Sequence, residues 1–140
     1  MLLNQGPMSD APRILVVVDA NFDVANALAD AAAEHGWEPF LAGGAEAALG
    51  ILPKLEGEVL LLVDLASPVS GGLALLLALR RTPQPPGLRV LVMSSGQPVP
   101  AVARSSPFVL GVVKKPRHAA DAAGLIRALV DDAERSATVS

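Results

Sequence analysis

Residues 59–68 read Val-Leu-Leu-Leu-Val-Asp-Leu-Ala-Ser-Pro. An unbroken apolar run ends in one carboxylate, Asp64, and the turn formers Pro68, Gly71 and Gly72 follow. A short apolar run without alternation is the pattern of a strand buried on both faces, which places it inside a parallel sheet covered by helices. The charge at its end has two readings. Asp64 is either an ordinary first loop residue, solvated or capping a following helix, or a reactive carboxylate delivered to the edge of the sheet.

Outward from this run, the chain alternates. Arg13–Val18 is a β-branched strand, and Phe22–His35 an alanine-rich helix with Val24, Leu28 and Ala31/Ala32 at helical spacing. Gly36 follows where a helix commonly ends. Trp37–Leu41 reads as a second strand, and Ala45–Leu52 as a helix stopped near Pro53. Glu58–Val63 is the third strand. Gly72–Arg81 is a leucine-rich helix with Arg80 and Arg81 in its last turn. Arg89–Met93 is the fourth strand. Gln97–Ser106 carries Pro98 and Pro100, so its helix should be short or displaced. Val109–Lys114 is the fifth strand. Ala119–Glu134 is the last helix, with Ala122, Leu125, Ile126, Leu129 and Val130 on one stripe. Strands and helices alternating in single file form right-handed βαβ units and an α/β fold.

Composition bounds the rest. A chain of 140 residues is one domain's worth and can bury a core without staples. Apolar residues are 51% and charged residues 18%, which argues for a packed globule and against disorder. A net charge of −3 gives no overall invitation to nucleic acid. The absence of cysteine removes disulfides, thiolate metal sites and cysteine nucleophiles together. Met1–Gly6 has no signal-peptide pattern, and no apolar run reaches the roughly 20 residues of a membrane span. A cytoplasmic protein is expected. Residues 1–11 read as an extension, 12–134 as the domain, and 135–140 as a tail.

In such sheets chemistry sits at the carboxyl ends of the strands. Asp19 ends the first strand, Asp64 the third, Ser94 the fourth, and Lys115-Pro116 the fifth. Two carboxylates, a hydroxyl and an ammonium should therefore share one rim. Each has an ordinary reading too. Asp19 could cap the first helix, Ser94 is common turn chemistry, and Lys115 has a second lysine beside it. No GxxxxGK[ST] or GxGxxG phosphate-binding motif is present, and His35 and His118 have no ligand spacing.

The order Ile14-Leu15-Val16-Val17-Val18-Asp19, Leu62-Val63-Asp64 with Pro68 and Gly72, Val92-Met93-Ser94 and Lys115-Pro116 resembles the receiver domain of two-component response regulators, over residues 12–134. The resemblance implies a flavodoxin-like five-stranded parallel sheet of order 2-1-3-4-5. It implies phosphoryl transfer to Asp64 from a histidine kinase or phosphotransfer protein, and at most self-catalysed phosphorylation and dephosphorylation. Mg²⁺ would be held weakly by Asp19, Asp64 and the backbone carbonyl of Ala66. Lys115 would pair with Asp64 and Ser94 would bond a phosphoryl oxygen. The peptide before Pro116 would be cis. A downstream protein partner is implied, with no nucleic acid and no membrane, and a homodimer is left open.

The chain also departs from that pattern. Val18 stands where the first of two adjacent acids is usual, Val112 where an aromatic residue is usual, and Arg117 follows Pro116. These departures support a second reading, a protein-interaction module that works without phosphorylation. A hydrolase using Asp64 is disfavoured, because Ala66 stands where phosphatases of the haloacid dehalogenase type carry a second acid. Apolar Val99, Val102 and Phe108 mark the segment around Gln97–Ser106, strand five and the last helix as the expected partner surface.

Overall fold

The computed structural model describes residues 13–65 and 71–139. The strands are β1 (Arg13–Val18), β2 (Glu38–Ala42), β3 (Glu58–Asp64), β4 (Arg89–Ser94) and β5 (Val109–Lys114). The helices are α1 (Phe22–Glu34), α2 (Ala45–Ile51), α3 (Gly72–Leu79), α4 (Ala101–Arg104) and α5 (Ala119–Val139). All strand pairs are parallel, in the order β2-β1-β3-β4-β5. The sheet is the expected one.

Alternation along each strand sorts the core into two layers. Ile14, Val16, Val18, Val59, Leu61 and Val63 pack with Leu75, Leu76 and Leu79 of α3 on one side. Leu15, Val17, Leu60 and Leu62 pack with Val24 and Leu28 of α1 and Ile126 of α5 on the other. Hence β3 shows no alternation in sequence: both its faces are buried. Each such leucine or valine stabilises the fold by about 1.5–3 kcal/mol relative to exposure. Edge strand β5 is different, alternating half-buried with exposed.

Helix ends follow local chemistry. Asn21 caps α1 by accepting from Asp23 and Val24 N–H. The sequence offered Asp19 for that task; it stands two residues too early and accepts from the Asn21 N–H instead, at 2.9 Å. His35 closes α1, and Gly36 takes a left-handed φ of 81° after it. Pro53 does not end α2 outright, because a 3₁₀ turn over Leu52–Lys54 accepts it in its first positions. Helix α3 stops at Leu79, short of the expected Arg81. Residues 135–139, expected as a tail, continue α5: nothing between Glu134 and Val139 breaks a helix, and Arg135 pairs with Asp132 one turn back.

Helix α4 is a single turn opened by Pro100. Val99 and Phe108 were expected to lie open as partner surface. Both instead pack against the core layer under α3 and α4, with Val102 half-buried. The large apolar side chains left open are elsewhere: Phe22 at the start of α1, Leu110 and Val112 on β5, and Leu73 and Leu77 on α3. Among the described residues no helix is long and apolar enough to cross a membrane.

Candidate functional site

The carboxyl ends of β1, β3 and β5 meet in one cluster. Lys115 Nζ lies 3.1 Å from Asp19 Oδ1 and 3.1 Å from Asp64 Oδ2. Both carboxylates are fully buried and the lysine side chain is 11% exposed. Sheet order explains the meeting. β1 and β3 are hydrogen-bonded neighbours, so their terminal acids are side by side; β5 lies two strands over, and only a long side chain reaches back.

Lys115 is aimed from its backbone. Its N–H donates to the Ser94 carbonyl at 2.8 Å, which continues the β4–β5 ladder one residue beyond Lys114. The cis peptide expected before Pro116 is not found: this peptide is trans, and the ladder bond sets the lysine's direction.

The cluster holds two carboxylates and one ammonium, an excess of one negative charge in a buried place. Burial pushes the Asp19 carboxyl above the ordinary aspartate range. The Asn21 N–H works against this, the Asp64 charge adds to it, and Lys115 opposes it; the net direction is upward. For Lys115, burial disfavours the ammonium, but hydrogen bonds and attraction from Asp64 and Asp19 outweigh it, and its pKa is raised.

Asp19 Oδ2 is buried and has no hydrogen-bond partner among the described residues. An orphaned carboxylate oxygen in a cluster of negative sign fits an added cation. The ligand count is low. No group of three or more acids or histidines able to hold a metal exists among the described residues. Val18 is fully buried in the apolar layer with Ala42, Ala48 and Val63, so it offers nothing to a metal. Ala66 and Pro68 lie outside the described residues.

Ser94 ends β4 as expected but is not joined to the carboxylates. Its Oγ donates to the Gln97 carbonyl at 3.1 Å and accepts from the Gly96 N–H at 3.2 Å. His35 and His118 both lie at helix ends, the latter accepting from Asp121 N–H. Two contributors were missed in the sequence. Asn21 holds Asp19 through its N–H, and an Asn just before an apolar-periodic run is a readable cap signal. Gly72 lets the start of α3 approach the end of β3. A Cβ there would stand 2.5 Å from the Asp64 carbonyl oxygen and 2.8 Å from Val63 Cγ1. That approach is a tertiary fact with no local signature.

Beside the cluster, a groove of about 530 Å³ runs between the first turns of α1 and the β5–α5 connection. Asn21, Asp23, Asp30, Arg117 and His118 line it.

No family model matches the sequence, and no curated protein matches it. Solved structures do. A CheY-like response regulator receiver domain protein from Methanospirillum hungatei JF-1 superposes with a TM-score of 0.67 at 19% identity, over 91% of this chain and 99% of that one. The N-terminal domain of a response regulator/sensory box/GGDEF 3-domain protein from Carboxydothermus hydrogenoformans gives 0.65 at 24% identity, over 91% and 99%. The chemotaxis response regulator CheY4 of Vibrio cholerae gives 0.65 at 18%, over 84% and 97%. In strand order, helix placement and extent, the chain has the CheY-like fold of response regulator receiver domains.

Proposed function

We propose that the chain is a receiver domain of a phosphorelay, accepting a phosphoryl group on Asp64 from a histidine kinase or phosphotransfer protein. The observation that carries this reading is the Asp19–Lys115–Asp64 cluster, with both Nζ–O distances at 3.1 Å. A buried ammonium held between two carboxylates is a costly arrangement for stability alone. It suits a nucleophile whose reaction brings in more negative charge.

In the transfer, an Asp64 carboxylate oxygen forms a bond to phosphorus while the donor's P–N bond breaks and the departing imidazole nitrogen takes up a proton from solvent. Lys115 leaves Asp64 Oδ2 and pairs with the phosphoryl oxygens. Ser94 Oγ turns from the Gln97 carbonyl to donate to another of them. Asp19 and Asp64, with the Ala66 carbonyl as third ligand, are the residues that would hold Mg²⁺, which supplies charge neutralisation for the incoming phosphoryl group.

The second reading, a phosphorylation-independent interaction module, draws on Val18 and Val112. The first is sealed in the apolar layer, and the second is 47% exposed with no aromatic ring to swing inward. One experiment separates the two. The protein is incubated with a small acyl phosphate, with and without Mg²⁺, and its intact mass is followed. One added phosphoryl mass in the wild type, absent in Asp64→Asn, is expected. No added mass under either condition leaves the interaction module as the function.

A further inference from the structure

No acidic residue stands between Asp64 and Asp121. The cations of that span lie on β4, α4 and β5 and in the segments that follow α3 and β5. Arg89 pairs with Glu58, Lys115 sits in the buried cluster, and Arg117 lines the groove beside α1 with Asp23 and Asp30. Arg80, Arg81, Arg104 and Lys114 are exposed, with no carboxylate in salt-bridge reach among the described residues. A protein of net charge −3 thus carries a face of opposite sign.

The same face is apolar in its middle. Helix α3 reads Gly-Leu-Ala-Leu-Leu-Leu-Ala-Leu, without one polar side chain. Leu75, Leu76 and Leu79 are buried, but Leu73 and Leu77, one turn apart, are 37% and 40% exposed. Val112 on β5 pairs with buried Val92, so it faces the same side of the sheet as α3 and α4. It stays open because α4, which touches both α3 and β5, is only one turn long. Lys114 shares the Val112 side of β5, near the carboxyl end of the sheet. Arg80, Arg81 and Arg104 follow or end helices that run back against the strands, and so frame the other end.

We propose that this face is the docking surface for an acidic amphipathic segment of another protein, its apolar side on Leu73, Leu77 and Val112 and its carboxylates on Arg80, Arg81, Arg104 and Lys114. Charge complementarity selects the occupant. A second copy seated by a two-fold axis would set these cations against themselves. Nucleic acid would place phosphates over leucines, on a face with no exposed aromatic ring for base stacking. An acidic segment with leucines at helical spacing satisfies both the rim and the centre. The surface does not depend on Asp64, so the inference stands apart from the phosphoacceptor reading.

The test uses a fluorescent helical peptide with leucines at i and i+4 and glutamates elsewhere, and its counterpart with lysines for glutamates. Binding to the full chain is read by polarisation. The glutamate peptide should bind and the lysine peptide should not. Raising salt from about 50 to about 300 mM should weaken binding at least severalfold. Arg104→Glu with Lys114→Glu should weaken it about tenfold or more, and Leu77→Ala about three- to tenfold. Asp64→Asn should leave it unchanged. Circular dichroism confirms that each variant is folded, and Arg127→Glu on α5 serves as the charge control. The proposal is overturned by no binding up to about 1 mM, by equal binding of both peptides, or by an equal loss in the control. Displacement of the peptide by an oligonucleotide, or by concentration-dependent self-association in sedimentation, also overturns it.

Discussion

Asp19 carries a charge that its surroundings resist. Its carboxyl is fully buried, one oxygen has no partner, and burial with the nearby Asp64 charge raises its pKa. A raised carboxyl pKa means that the folded state binds the proton more tightly than the unfolded chain. Ionisation then weakens the fold: the penalty is absent below the unfolded value near 3.8 and complete above the folded pKa. Asp19→Asn should therefore stabilise the metal-free protein at neutral pH, and by almost nothing near about pH 3. Urea denaturation across that range measures it; an equal gain at both pH values would show that the charge is not the cause. Val18 sets the opposite balance. Val18→Asp would put a carboxylate into a layer formed with Ala42, Ala48 and Val63. The variant should lose roughly 2–4 kcal/mol in chelator and recover part of it in Mg²⁺, with Mg²⁺ bound about ten- to hundredfold tighter than by the wild type. Thermal unfolding with a metal titration reads both effects, and a variant that Mg²⁺ does not rescue would show that residue 18 cannot reach the site.

At the scale of elements, the start of α3 decides how the end of β3 is held. Gly71 has a φ of 63°, a left-handed turn into the helix, and a Cβ on Gly72 would stand 2.5 Å from the Asp64 carbonyl oxygen. Gly72→Ala needs a shift of backbone rather than of a flexible side chain. It should cost about 1–3 kcal/mol and disturb the Asp64–Lys115 pair. Comparing its urea midpoint with that of Gly50→Ala, where a Cβ meets nothing within 4 Å, isolates the effect. Elements were the most legible part of the sequence. The continuous run of β3, the helical spacing in α1 and the prolines before α4 each have one physical reading, and the structure holds all three. Boundaries were less legible. Trp37 was read as the first residue of β2, yet it packs with α1 and α5 residues before the strand begins at Glu38. The last helix was read only to Glu134, and the structure carries it on to Val139. Strand ends exposed Asp19, Asp64 and Lys115 to a sequence reading; the turn that engages Ser94 Oγ, and the core that takes Val99 and Phe108, depend on packing that no local pattern carries.

Across the whole molecule, Lys115 does what no backbone bond can. Edge strand β5 is hydrogen-bonded only to β4, with a register shift between Val90 and Leu91 and one face open. The Lys115 side chain crosses β4 and ties that edge to the first and third strands through two buried carboxylates. Lys115→Met keeps the length and removes the charge, leaving two facing carboxylates without their ammonium. A loss of about 3–5 kcal/mol is expected at neutral pH. It should shrink in acid, where Asp19 takes up its proton and no longer repels its neighbour. In the wild type the lysine pKa is raised above its ordinary 10.5, so the stability it contributes is fully present below that value and is lost as pH climbs through the folded pKa. The variant should lack that alkaline limb. Local opening should follow the same logic: in Lys115→Met, amide exchange should accelerate in β5 more than in β1 or β3, because the edge strand loses its salt bridges to the ends of β1 and β3. Hydrogen exchange on both proteins checks this. Uniform acceleration across all strands would mean that the cluster stabilises the sheet as a whole and does not anchor its edge.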